Sequence, residues 1–344
     1  MASDSLLTSD PPAPGRYLLQ VFGAALCALV IEAVLCAFPS VPVFAADKLV
    51  VGKAFPTSFA FIPINVGVEA GITAKYGLDV TILGFEGAPK LQQGIAAGDV
   101  DIGLGSGTDM AFVAKGSPAK AVAAMAGPPL AYGIFGGART GIETVQDLKG
   151  KRVAVASPNS LVYWLTRHLS DSLGWGLDGI QTIYVSGGMA ANIAMLRTGQ
   201  VDGLTIGIDV AHRLEKEGQG KLLANYGKYV TLYITHAIFA SNTVISQRPE
   251  VLRRFLVAWF ATIDFMHADK DATVKIDMTA DGIADPDIAR STYDEVMPMF
   301  SRDGHFDPAA LAVVRKAMVE LQLLPSEPDM APLFTEAFLP KPGR

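Results

Sequence analysis

The sequence contains only two cysteines, Cys27 and Cys36, and both lie within its first forty residues. Beyond residue 36 the chain therefore offers no disulfide, no cysteine-ligated metal site and no thiol nucleophile. Basic residues are also too few for a nucleic-acid-binding face, because acidic residues outnumber them and the formal net charge is −6. Half of the residues are hydrophobic, so we expect an extensive buried core rather than disorder.

Motifs of catalysis and cofactor binding are absent as well. The five histidines form no H-x-x-x-H pair, which argues against a metal site. The chain has no G-x-x-x-x-G-K-[ST] loop, and the stretch that begins Gly103-x-Gly105 has Thr108 where a dinucleotide fingerprint requires glycine. Gly105-Ser106-Gly107 also lacks the G-x-S-x-G elbow of serine hydrolases. We therefore expect no metal, no cofactor and no enzymatic activity.

One long apolar run follows Arg16, from Tyr17 to Ile31, and it continues past Glu32 to Phe38. Val43-Phe44-Ala45 then places small residues at the two positions that a signal peptidase reads. We interpret residues 1–46 as an export signal or, alternatively, as a membrane anchor that is not cleaved. The remainder is then predicted to be periplasmic, either free or anchored to the outer face of the inner membrane.

Three short motifs recur in the same order at a spacing of about 100 residues, which indicates an internal duplication. The pairs are Pro56-Thr57-Ser58 with Pro158-Asn159-Ser160, Gly77-Leu78-Asp79 with Gly176-Leu177-Asp178, and Gly98-Asp99-Val100-Asp101 with Gly199-Gln200-Val201-Asp202. In each half, short strands alternate with helices, a pattern typical of parallel sheets with right-handed crossovers. The sequence thus predicts an α/β fold in which one βαβαβ unit is used twice.

We expect the two units to form two lobes, each a mainly parallel sheet flanked by helices. Lobe 1 would comprise residues 47–130 together with 235–344, and lobe 2 would comprise residues 131–234. The chain would cross between them in a β hinge at about 128–137 and 228–236. The helices that begin at Pro249 are expected to pack on lobe 1.

In an open α/β sheet, ligands bind beyond the C-terminal ends of the strands, where loops lead into helices. Glycines there permit close backbone approach, and Ser or Thr hydroxyls beside free N–H groups can hold an acceptor-rich group. Because such loops occur in both halves, the ligand is predicted to lie between the lobes. The candidate ligand-binding residues are Phe55, Thr57, Ser58, Gly105, Ser106, Gly107, Thr108, Tyr132, Asn159, Ser160, Ser186, Gly187, Asp209 and His236.

Three segments resemble the substrate-binding proteins of ABC importers, in the nitrate/sulfonate/taurine and thiamine-precursor (NMT1/THI5-like) branch. They are Asp147-Leu148-Lys149-Gly150-Lys151-Arg152-Val153-Ala154-Val155, Met195-Leu196-Arg197-Thr198-Gly199-Gln200-Val201-Asp202 and Phe239-Ala240-Ser241-Asn242. The resemblance covers nearly all of residues 47 to 270. It implies a two-lobed type II periplasmic-binding-protein fold that closes on a solute around the hinge. It also implies permease and ATPase subunits as partners, and we expect a monomer.

The identity of the ligand stays open at this level. Ser and Thr at strand-to-helix turns, flanked by aromatic residues, favour an organic solute with a sulfonate or other oxyanion group. Because Lys53 and Lys90 are the only basic residues in the crevice loops, neutral donors and helix dipoles would hold such an anion. A pyrimidine-type thiamine precursor and an aromatic acid are the alternatives. A sensor that feeds a signalling partner, or an enzyme on the same fold, would be a different class of function.

Overall fold

The computed structural model describes residues 46–155, 160–184 and 187–341. The described residues belong to one compact unit, Ala46–Arg344. The leader predicted at residues 1–46 lies outside the described residues, except for Ala46. This unit contains two five-stranded sheets flanked by helices, which confirms the predicted two-lobed α/β fold.

The described chain contains ten strands and twelve α-helices. The strands are β1 (Asp47–Lys53), β2 (Leu78–Gly84), β3 (Ile102–Ser106), β4 (Ala119–Ala126), β5 (Tyr132–Gly137), β6 (Arg152–Val155), β7 (Gln181–Tyr184), β8 (Gly203–Gly207), β9 (Gly220–Asn225) and β10 (His236–Ser241). The α-helices are α1 (Ile62–Glu69), α2 (Ile72–Lys75), α3 (Ala88–Ala97), α4 (Met110–Ala114), α5 (Leu161–Ser172), α6 (Gly188–Arg197), α7 (Ile208–Lys216), α8 (Asn242–Gln247), α9 (Pro249–Ala268), α10 (Lys270–Asp281), α11 (Pro286–Val296) and α12 (Pro308–Glu320). None of the helices in this part of the chain is both long and apolar enough to span a membrane.

The two sheets have the same topology, which is how the duplication shows in three dimensions. The first has the strand order β2-β1-β3-β10-β4 and the second has the order β7-β6-β8-β5-β9. In each sheet three neighbouring strands are parallel, and the next strand, β10 or β5, is antiparallel. Because β10 follows the strands of the second sheet but lies in the first, the chain crosses between the sheets before β5 and again before β10.

The repeated Gly-x-Val-Asp motif makes equivalent contacts in both sheets. Asp101 accepts a hydrogen bond from the backbone N–H of Val50 in β1 (Oδ2–N 3.0 Å), and Asp202 accepts one from the backbone N–H of Arg152 in β6 (2.9 Å). Asp202 also accepts bonds of 2.9 and 3.1 Å from the guanidinium of Arg152. Each carboxylate therefore ties the turn before β3 or β8 to the parallel strand beside it, β1 or β6.

We expect Asp101→Ala and Asp202→Ala each to lower the free energy of unfolding by about 2 kcal/mol, because a charge-assisted hydrogen bond is lost and a strand N–H is left unpaired. Asp99 and Gln200, the exposed second residues of the same motifs, provide matched controls. Asp99→Ala and Gln200→Ala should change that free energy by less than about 0.5 kcal/mol. Urea unfolding followed by circular dichroism measures all four variants. If the two control variants lose as much unfolding free energy as Asp101→Ala and Asp202→Ala, the two aspartates do not tie the turns to the strands.

The helices that follow β10 contact both lobes. α9 packs on α1, beside the first sheet, whereas α11 packs against α7, which follows β8 of the second sheet. Two ion pairs join α7 to the C-terminal helices: Lys216 Nζ lies 2.5 Å from Asp285, and His212 Nε2 lies 3.3 Å from Glu295. The expectation that these helices all pack on lobe 1 is therefore wrong for α11, which bridges the two lobes.

Candidate functional site

A cleft of about 580 Å³ lies between the two sheets. Its wall includes Ala54, directly after β1, and Ser106, the last residue of β3. On the opposite side it includes Ser160, which caps α5, and Gly207, which ends β8. The cleft therefore has the position expected of a ligand crevice, at the C-terminal ends of strands in both sheets.

The structure brings part of the predicted ligand-binding set into the wall of this cleft. The residues in the wall are Phe55, Ser106, Thr108, Tyr132, Ser160 and His236. Thr57, Ser58, Gly105, Gly107, Gly187 and Asp209 lie nearby in the same loops and helix starts but do not line it. Asn159 and Ser186 are outside the described residues.

The serines at these strand ends cap their own helices. Ser58 Oγ accepts a hydrogen bond of 3.3 Å from the N–H of Ala60, which holds it at the turn before α1. Thr57 beside it is exposed. Ser160 Oγ accepts a bond of 3.3 Å from the N–H of Tyr163, although Ser160 also lines the cleft. A hydroxyl that accepts from a helix N–H satisfies one of the unpaired donors at that helix start, so that donor is no longer available to a ligand.

Gly105, inside β3, and Gly107, directly after it, make room for neighbouring parts of the protein itself. A Cβ at Gly107 would overlap the carbonyl oxygen of Ile234, and the N–H of Gly107 donates to the carbonyl of Thr235 at 3.1 Å. A Cβ at Gly105 would overlap the carboxylate of Asp109. Neither glycine has a positive φ, so no left-handed turn is involved. The segment before β10 and the Asp109 side chain occupy the space that we expected a ligand to use.

Gly187 and Asp209 also have roles within their own helices. Gly187 takes a φ of 107° at the start of α6, a conformation that favours glycine. Asp209 lies in the first turn of α7, where burial raises its pKa although backbone N–H groups of that turn act in the opposite direction. It faces α10, where burial, and then repulsion by Asp281 and Asp209, raise the pKa of Asp277 to about 8. Asp209 therefore belongs to a group of acids outside the cleft wall.

One carboxylate does line the cleft. Asp109 is 4% exposed, and its Oδ2 accepts a hydrogen bond of 2.9 Å from the N–H of Ser106. Burial raises its pKa to about 7, although the bond from Ser106 acts in the opposite direction. Beside it the hydroxyls of Ser106 and Thr108 are 3.0 Å apart and share a hydrogen bond. The cleft thus contains a buried acid that changes charge near neutral pH.

His236, at the start of β10, presents an uncharged ring to the cleft. The ring packs edge-on against Phe61, with centroids 5.0 Å apart, and lies 6.3 Å from the ring of Tyr132. Burial lowers the pKa of His236 to about 3, so the imidazole is neutral at physiological pH. Its Nδ1 is buried and has no hydrogen-bond partner within the described residues.

Comparison with known proteins identifies the family. A sequence profile described as NMT1/THI5 like matches residues 58–273, which is more than half of the chain. The chain belongs to the NMT1/THI5-like family. This confirms the resemblance carried by its sequence segments.

Among curated proteins, this NMT1/THI5-like chain is 25% identical over 213 residues to the "Putative binding protein BAB2_1146" of Brucella abortus (strain 2308). The match covers 61% of this chain and 65% of that relative, so the chain spans just under two thirds of the relative's length. The relative's name states binding and specifies no ligand.

Solved structures share the fold at low sequence identity. The periplasmic aliphatic sulphonate binding protein SsuA from Escherichia coli superposes with a TM-score of 0.69 and 18% identity, over 84% of this chain and 92% of that one. The C27S mutant of DSZB in complex with biphenyl-2-sulfinic acid superposes with a TM-score of 0.63 and 15% identity, over 85% of this chain and 97% of that one. DSZB is a desulfurization enzyme, so the fold occurs in binding proteins and in an enzyme.

Sequence patterns missed several wall residues of this NMT1/THI5-like protein. They are Phe61, Phe112, Met189, Asn192, Leu321 and Leu323. Asn192 had a usable sequence signal, because it is a polar residue four positions before Leu196, on the buried face of α6. It is 3% exposed, and its Oδ1 has no hydrogen-bond partner in the described chain. The two leucines had none, because they reach the cleft from the turn after α12, where Gln322 takes a left-handed φ of 57°.

Proposed function

We propose that this protein is the solute-binding component of an ABC importer and captures a small organic solute between its two lobes. The observation that carries this proposal is the cleft itself, whose wall combines Ser106 of one sheet with Ser160 and Asn192 beside the other. A solute that contacts both lobes binds the closed arrangement more tightly than an open one and so shifts the population toward closure. The crossings at residues 127–131 and 226–235 would act as the hinge.

Membership of the NMT1/THI5-like family supports a binding role, and the likeness to SsuA supports export to the periplasm. On this proposal the closed, loaded form is a monomer that docks on permease subunits driven by an ATPase. Catalysis is not part of the proposal, although DSZB shares the fold. Both cysteines of this chain lie in residues 1–45, outside the described residues.

The solute named for the E. coli neighbour is an aliphatic sulfonate, which is also the class that the sequence favoured. The cleft supports the organic part of that class, since Phe55, Phe61 and Phe112 line it. A pyrimidine-type precursor or an aromatic acid would find the same apolar wall. The charge of the solute is a separate question, which the polar groups of the wall address.

A thermal-shift screen of organic solutes, followed by small-angle scattering with each positive solute, tests the proposal. A solute at a hundred times its Kd should add about 2.7 kcal/mol of stability, and closure should reduce the radius of gyration. Ala88→Trp places a large ring at the cleft wall and should abolish both effects. Ala97→Trp, at the exposed far end of the same helix, is the matched control. An unchanged radius at saturation would contradict hinge closure, and turnover of the solute would favour an enzyme.

A further inference from the structure

We propose that the cleft selects a solute that carries no negative charge: a largely apolar molecule with an N–H or O–H group that donates to Asp109. The inference rests on the proposed solute-binding function and specifies the ligand class. It departs from the sulfonate named for the structural neighbours, and four features of the wall support it.

The first feature is the charge of the wall. None of the described residues that line the cleft is Lys or Arg, while Asp109 supplies a carboxylate. Residues 156–159 and 185–186, which the structure does not describe, contain neither Lys nor Arg in the sequence. A negatively charged solute would therefore bind beside a buried acid with no cation to offset its charge. It would either meet the like charge of ionised Asp109 or have to keep that acid protonated, and both disfavour its binding.

The second feature is that both basic residues of the crevice loops are engaged elsewhere. Lys53 is 4% exposed and its Nζ donates to Asn65 Oδ1 at 3.0 Å, and burial lowers its pKa. Lys90 is exposed and pairs with Glu86 at 2.5 Å. Neither side chain is part of the cleft wall, so neither is in place to neutralise an oxyanion there.

The third feature is the use of backbone donors. The N–H of Ser106 is bonded to Asp109 and that of Gly107 to the carbonyl of Thr235. The N–H of Ile208, at the start of α7, is bonded to the carbonyl of Ala131. Pro89, at the start of α3, has no N–H at all. Several helix starts that would hold an anion in other proteins are therefore already occupied or lack the donor.

The fourth feature is the set of buried acceptors in the wall. Asn192 Oδ1 has no hydrogen-bond donor in the described chain, whereas the carboxylate of Asp109 receives one bond, from the N–H of Ser106. An unsatisfied buried acceptor is costly, and a carboxylate can accept further hydrogen bonds, so both groups are suited to a solute that donates. The neutral ring of His236 adds an uncharged hydrogen-bonding site. The exposed side chains of Phe55 and Met189, one from each lobe, provide apolar contacts for the rest of the solute.

Two series of compounds test the inference, and within each series the members share one carbon skeleton and differ only in the polar group. We would titrate the purified chain by calorimetry with 3-phenylpropylamine, 3-phenylpropan-1-ol and 3-phenylpropane-1-sulfonate, and with the corresponding hexyl series. The amine or the alcohol of at least one series should bind at least about tenfold more tightly than its sulfonate. Tighter binding of the sulfonates would overturn the inference and leave solute capture standing. No binding by any member would count against capture of an organic solute, and so against the proposed function itself.

Variants locate the effect. Asp109→Asn removes the charge while an amide oxygen can still accept from Ser106, and it should weaken amine binding at least about tenfold while the sulfonate gains or is unchanged. Glu86→Gln removes an exposed carboxylate outside the wall and should leave every affinity unchanged. Thermal unfolding of both variants establishes that they are folded. Equal amine affinity in Asp109→Asn and the unsubstituted protein would show that Asp109 is not the partner.

Discussion

Replacing Gly107 by alanine should lower the free energy of unfolding by about 3 kcal/mol, one of the largest effects expected of any single methyl group in this protein. The added Cβ would overlap the carbonyl oxygen of Ile234, which belongs to the segment that leads into β10. The carbonyl oxygen of Ile234 belongs to the backbone, so no side-chain rotation can move it away. The backbone there is also held in place, because the carbonyl of the next residue, Thr235, accepts a hydrogen bond of 3.1 Å from the N–H of Gly107. The crossing between the lobes would therefore have to shift.

Gly127→Ala is the matched control for that prediction. Gly127 lies in the other crossing between the sheets and has no positive φ. A Cβ there would come no closer than 3.8 Å to any atom beyond its two chain neighbours. It should change the free energy of unfolding by less than about 1 kcal/mol. Urea unfolding measures both variants. A small effect at Gly107 would mean that the segment before β10 can move away freely, and the explanation of this glycine would then be wrong.

The fold was predictable because the duplication and the alternation of strands and helices are local signals. Gly98-Asp99-Val100-Asp101 and its copy lie before equivalent strands, and parallel topology then brings the C-terminal ends of those strands to one edge of each sheet. That is why Phe55, Ser106 and Ser160 reach the cleft wall as expected for residues at those ends. Position along a strand was enough to place them.

The detailed structure of the site was less predictable, since it depends on contacts between distant segments. A Gly-Ser-Gly turn after a strand has the same sequence whether a ligand or another segment of chain fills the space beside it. Here Ile234, more than a hundred residues later, fills it. Leu321 and Leu323 likewise enter the wall from a turn that no local pattern relates to the cleft. Such long-range packing decides which side chains a cleft exposes.

Trp164 illustrates such packing, because it joins three distant segments. Its ring, in α5, stacks on Tyr233 with centroids 4.9 Å apart and on His168 at 3.7 Å. Its Nε1 donates to Glu320 at the end of α12 (2.5 Å), and His168 Nε2 lies 2.8 Å from the same carboxylate oxygen. Burial acts to raise the pKa of Glu320, but the bonds from His168 and Trp164 outweigh it and lower that pKa. Since α5 and the turn after α12 both line the cleft, this cluster holds two parts of the wall together.

Trp164→Ala should lower the free energy of unfolding by roughly 3–5 kcal/mol, because a large side chain that is 3% exposed would leave a cavity between these segments. Trp164→Phe keeps most of the ring but removes the donor to Glu320, and a loss of about 1–2 kcal/mol is expected. Tyr184→Ala, at an aromatic residue of β7 that is 55% exposed, should cost less than about 1 kcal/mol. Urea unfolding distinguishes the three variants. If Trp164→Ala costs no more than Tyr184→Ala, the stacked cluster does not hold α5 to the C-terminal segment, and the cleft wall depends on other contacts.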